Sequence, residues 1–218
     1  MNTPPIMIDL HVQRDLFAPG GSLYTRANSR ATANVYRLFQ WARMTGVPIL
    51  SPVLLVRPGR QGPFGRAPHC IEGSGGEVKL ARTLLSRRVN LGLSHTADLE
   101  RGLFSKYAQI IFETRDTNIL HHAKFERLIA ELNGQHTFVL CGATIARGIL
   151  EAVLGLRRYG HRVFVAEDAV LELDLPDTEM AWLRVVAKDA ICLGTDQIVR
   201  ELAATRRRRR RLPAATMG

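Results

Sequence analysis

The feature that most constrains this chain is a series of short, nearly unbroken apolar runs set between segments of helical period. "PPIMIDL", "VPILSPVLLV", "AQIIFE", "HTFVLCG", "HRVFVAED" and "AICLG" all have strand length. A strand that is apolar at successive positions, rather than at alternate ones, must bury both of its faces. The intervening segments carry the other period. Val35, Leu38, Phe39 and Ala42 fall at i, i+3, i+4 and i+7, and Phe125, Leu128, Ile129 and Leu132 share one face of a second helix. The pattern predicts an α/β fold: a three-layer, doubly wound, Rossmann-like sandwich around a mostly parallel sheet of six strands. At 218 residues the chain suits one such domain, placed at 1–202.

Residues 57–105 interrupt the alternation. They are rich in Gly, Pro, Arg and Ser, and the reading expects a long irregular excursion with one short helix. A loop of that length in a compact domain is usually functional. After it the strands resume, and a helix is expected from about Ala146 to Tyr159. Ligands of open α/β sheets bind outside the carboxyl ends of the strands. That selects Asp9 to Asp15, Leu54 to Pro58, Glu113 to Thr117, Gly142 to Gly148, and Glu167 with Asp168.

The net charge of +10 is mostly local, because six of those charges are the run Arg206–Arg211. Residues 203–218 are therefore read as a disordered arginine-rich tail. Such a tail can attract nucleic acid or another polyanion. Cys70, Cys141 and Cys192 are too few and too scattered for a disulfide framework or a zinc knuckle. No apolar run is long enough to span a bilayer, and "MNTPPIMIDL" lacks the basic flank of a secretory signal, so a cytoplasmic location is expected.

Five segments together bring a family into view: "IDLHVQRDLFAPGGSLY", "APHCIEGSGG", "IIFETRDTNIL", "VLCGATIARGILEAVLGLRRYGHRVFVAEDAV" and "ICLGTDQIV". Their order and spacing resemble the isochorismatase-like cysteine hydrolases, which include nicotinamidases, N-carbamoylsarcosine amidases and isochorismatases. The resemblance runs from about Ile6 to Leu202. It implies a six-stranded parallel sheet flanked by helices and assembly as a dimer or tetramer. It also implies a site built from a nucleophilic cysteine, an aspartate base, an orienting lysine, and an oxyanion hole beside a cis peptide.

Carried over residue by residue, the resemblance places other side chains at all three catalytic positions. Gln13 and Asp15 fix the opening motif and put His11 where the aspartate belongs, with Asp9 two residues too early. Counting from Gly142 places Gly148 at the cysteine position. Thr114 follows Glu113 where the lysine belongs. Nicotinamidases also carry an Asp-x-His metal pair after the second strand, where this chain has Leu54 and Val56, although His69 of "PHC" is present. No metal and no cofactor are expected.

The leading expectation is a pseudoenzyme that binds a ligand or acts as a scaffold. Its ligand-binding candidates are His11, His69, Thr114, Arg115, Ala143, Thr144, Arg147 and Gly148, a set suited to a small anion. One alternative is an active hydrolase of amide or related C–N bonds with a rearranged residue set, in which Cys141 or Thr144 attacks and His11 or His69 serves as base. Another is a protein that associates with nucleic acid through its tail. Asp168 is expected to support a loop, and Trp41 and Trp182 to pack in the core or at a subunit contact. Adjacent His121 and His122 do not share a helical face, which argues against a metal site.

Overall fold

A computed structural model describes residues 4–211, with side chains for 4–204. Its elements in order are β1 (Ile6–Leu10), α1 (Arg14–Phe17), α2 (Ser29–Thr45), β2 (Ile49–Leu54), β3 (Arg88–Asn90), α3 (Leu103–Lys106) and β4 (Gln109–Thr114). There follow α4 (Ala123–Ala130), β5 (Thr137–Ala143), α5 (Leu150–Arg158), β6 (Arg162–Leu171), α6 (Thr178–Val186), β7 (Ile191–Leu193) and α7 (Thr195–Arg211). The strands form one sheet in the order β3-β4-β2-β1-β5-β6-β7. Every neighbouring pair is parallel.

The two-faced burial that the apolar runs require is visible in β1. Ile6, Ile8 and Leu10 pack into one core with α4, α5 and α6. Met7 faces the other core, shared with α2 and α7 through Val35, Leu38, Phe39 and Ile198. Period-2 alternation thus feeds two cores, and both need apolar residues. Helix α2 buries the predicted stripe and stops at Gly46, whose φ of 69° lets its N–H return to the Ala42 carbonyl.

The sheet has seven strands where six were expected. The additional one, β3, lies inside the 57–105 excursion, pairs with β4 at the sheet edge, and is partly exposed. A three-residue edge strand gives no periodic signal. The rest of the excursion contributes a 3₁₀ turn at Ala81–Thr83 and the short α3. The helix expected from Ala146 begins later, because residues 145–149 form a wide π-type turn and regular α5 starts at Leu150. Helix α7 continues to Arg211, well past the boundary expected at 202. The remainder of the tail expectation falls on 212–218, outside the described residues. No helix among the described residues is long and apolar enough to cross a membrane.

Candidate functional site

The site lies at the carboxyl ends of the central strands, where Gln13 follows β1. The Gln13 amide donates to the Leu54 carbonyl (2.7 Å) and to the Glu77 carbonyl (2.7 Å), and accepts from the Leu54 N–H (2.9 Å). One side chain therefore ties the end of β1 to β2 and to the excursion. Just before it, His11 takes a left-handed φ of 52°, which turns its ring out of the strand's alternation.

Beyond β5 the Ala143–Thr144 peptide is cis, and the wide turn follows. Gly148 in that turn has φ 104° and ψ −57°, a conformation suited to glycine. A Cβ there would lie 3.4 Å from the Thr117 carbonyl oxygen and 3.5 Å from His11 Cδ2. A side chain at position 148 would thus point at His11. The Gly148 N–H donates to the Glu151 carboxylate (2.5 Å). Thr114 stands one step back. Its hydroxyl donates to the Asp116 carbonyl and accepts from the Asp116 N–H, both at 3.0 Å. That turn sets the loop from which the Thr117 carbonyl approaches His11 Nε2 at 3.4 Å.

Phe64, from the excursion, covers this group. Its ring centroid lies 5.6 Å from that of His11 and 5.6 Å from that of His69. His69 fixes the covering loop, since Nε2 accepts the Phe64 N–H (3.1 Å) and Nδ1 donates to the Ala67 carbonyl (2.7 Å). The result is closed to solvent: His11 and His69 are 0% exposed, Phe64 1% and Thr144 2%. Burial pulls the His11 pKa down to about 4, so the ring is uncharged at neutral pH. Two polar atoms here, His11 Nδ1 and Thr144 Oγ1, are buried without a partner among the described residues.

The other expected site residues divide. Ala143 is buried at the end of β5 beside Thr144. Arg115 turns away to the Leu55 carbonyl (3.1 Å) and Glu72 (2.7 Å), and Arg147 folds onto the Ala146 carbonyl (3.0 Å). With both ring nitrogens of His69 engaged and apolar Leu54 and Val56 nearby in sequence, these residues offer no metal set. No group of three or more potential ligands occurs among the described residues. His121 meets Asp116 at the surface while His122 reaches inward to the Gly92 carbonyl. Asp168 Oδ1 accepts from both the N–H and the hydroxyl of Thr195, capping α7.

Sequence reasoning missed a second polar group beneath the sheet. Asp9 follows Met7's face into the α2 core, where one carboxylate oxygen pairs with Lys79 and the other accepts from Ser51. Gln109 supports Ser51 (2.8 Å) and holds the excursion through the Thr83 carbonyl (2.9 Å) and Leu85 N–H (2.8 Å). Cys141 is the register partner of Asp9 on β5. It is fully buried, and desolvation pushes its thiol well above the ordinary cysteine range. The available signal was a single acid inside the apolar run "IMIDL". A carboxylate buried there requires a cationic partner.

The whole arrangement can be set against known proteins. An N-carbamoylsarcosine amidase from Thermoplasma acidophilum superposes with a TM-score of 0.64 at 15% identity, covering 89% of this chain and 98% of that one. An isochorismatase from Pseudomonas putida gives 0.61 at 19% identity, covering 90% and 93%. A pyrazinamidase/nicotinamidase from Streptococcus mutans gives 0.64 at 16%, covering 87% and 99%. At these identities the likeness shows a shared fold. No curated protein sequence matches the chain. The family model for the isochorismatase domain matches residues 5–197, nearly the whole of the described chain, and this protein therefore belongs to the isochorismatase family.

Proposed function

We propose that this chain is a non-hydrolytic member of its family, a pseudoenzyme that acts by binding and assembly, as a scaffold, rather than by turnover. The observation that carries this reading is Gly148. At the position from which a side chain would reach His11, the chain has a hydrogen atom. Glycine supplies no nucleophile. The nearby donors and bases support the same reading. The Gly148 N–H, a candidate oxyanion donor, is already held by Glu151. Thr144 has a buried hydroxyl without a hydrogen-bonded base. Cys141 is fully buried in the α2-side core beside Asp9, with its thiol stabilised in the protonated form. Closure by Phe64 favours scaffolding over capture of a small ligand at this point, because a ligand there would have to displace the ring.

The test is a turnover assay of the natural protein against nicotinamide, N-carbamoyl compounds and isochorismate-like vinyl ethers. The reading predicts no hydrolysis that scales with protein concentration. Saturable hydrolysis abolished by Cys141→Ser or His11→Ala would establish instead a rearranged hydrolase.

A further inference from the structure

Charge is distributed unevenly along this chain. Between Val163 and Leu183 there is no Lys or Arg, while Glu167, Asp168, Glu172, Asp174, Asp177 and Glu179 all fall there, in a protein of net charge +10. The structure folds this segment into a cleft of about 400 Å³ between the start of α2 and the side of α6, lined by Asn28, Arg30, Glu167, Asp168, Glu172 and Trp182, among others. A second groove of about 530 Å³ continues from it, sharing Glu172 and Trp182 and adding Asp174 and Glu179. Together they form one acidic trough.

Three features of the trough describe its occupant. Glu167 and Glu172 are exposed, and neither has an ion pair or hydrogen bond among the described residues, so both carboxylates are available to a cation. Trp182 is half-buried on the wall they share, where an indole face can take a guanidinium. Asn28, at the start of α2 on the other side of the cleft, is 5% exposed, and its Nδ2 has no acceptor among the described residues. That buried donor calls for a carbonyl oxygen. An arginine-rich segment at the end of a helix supplies guanidinium groups for the carboxylates and Trp182, and the free carbonyls of its last turn for Asn28. A bare cation supplies the first alone.

Such a segment is present in this sequence as Arg206–Arg211. In its own molecule it starts from the wrong side. Helix α7 begins beside the cleft, where Asp168 caps Thr195, and reaches the start of β6 by Glu201, which pairs with Arg162. The helix therefore runs back along β6 toward the opposite end of the strands. We infer that the acidic trough receives the Arg206–Arg211 segment of a second copy of the chain, giving a head-to-tail contact. This rests on the assembly reading above, but turnover in the hydrolysis assay would overturn that reading and leave the contact standing.

The experiment is sedimentation velocity on full-length protein over a wide concentration range, after nuclease treatment. The natural chain is expected to show a concentration-dependent association step that weakens about tenfold or more between low and high salt, because screening acts on exposed charges. Two full-length variants should each lack that step: Glu167→Gln with Glu172→Gln, and a chain with Arg206–Arg211 all changed to Ser. Mixing the two should restore a single contact, since one retains the tail and the other the trough. Association that survives the Glu167→Gln/Glu172→Gln change overturns the proposal. So does failure of the mixture to associate, a tail that docks within its own molecule, or association that requires RNA.

Discussion

Two buried polar groups lie on either side of the first strand, and they differ in how well they are satisfied. Under the sheet, Asp9, Lys79, Ser51 and Gln109 form a closed network in which each of these polar side chains finds a partner. Above the strand ends, His11 Nδ1 and Thr144 Oγ1 are equally buried and find none among the described residues. Buried polar groups in native proteins are nearly always paired, so orphaned ones need a reason other than stability. The first group holds the long excursion to the sheet. The second lies beside Gly148, where we propose that the nucleophile has been lost.

The contrast fixes the sign and order of substitution effects. Lys79→Met alone should be the most costly change, at about 3–5 kcal/mol in chemical denaturation, because it strands the Asp9 carboxylate in an apolar core. Combining it with Asp9→Leu should recover most of that loss. A double variant as unstable as the single would show that the pair acts through something other than its charges.

The next effect is one of pH. The His11 pKa lies near 4 in the folded chain, below its ordinary value of 6.5. Between those values the unfolded state binds the extra proton, so stability present above pH 6.5 falls as pH drops toward 4. The loss amounts to roughly 3 kcal/mol by the bottom of that window, from the size of the shift. His11→Asn, which tolerates the positive φ, should flatten this part of the stability profile, and an unchanged profile would place the acid lability elsewhere.

The smallest effect separates the two groups most sharply. Ser51→Ala removes a partner of Asp9 and should cost about 1–3 kcal/mol. Thr144→Val removes a hydroxyl that has no partner among the described residues and should be near neutral in thermal unfolding. Equal losses at the two positions would erase the distinction between a satisfied and an orphaned group.

Much of this organisation was legible in the sequence because the sheet is buried on both sides. Runs such as "IMIDL" and "TFVLCGA" admit few other structures, and Gln13, Asp15 and Gly142 fixed the register that brings Gly148 against His11. Gly142 itself shows why that register is firm, since a Cβ there would lie 2.0 Å from the Leu10 carbonyl oxygen. What escaped was set by contacts distant in sequence. Lys79 meets Asp9 across seventy positions of chain, and nothing periodic links them. Phe64 reads as a lone aromatic in a Gly- and Pro-rich loop until His69 is seen to fix it over His11. The wide turn at 145–149 was hidden because "TIARGILEAVLGL" reads as one helical stretch, while the backbone leaves helical geometry at Arg147 and, with a positive φ, at Gly148.

The central claim is that the strand ends keep the frame of a thiol hydrolase without an activated nucleophile. The most direct measurement is the rate of alkylation of each cysteine in the folded protein, resolved by mass spectrometry from pH 6 to pH 10. Burial raises the pKa of Cys70, Cys141 and Cys192 alike. Reactivity should therefore be slow at neutral pH and climb only toward the alkaline end. Rapid alkylation of any one of them near pH 6, with loss of a hydrolytic activity in step, would contradict the account.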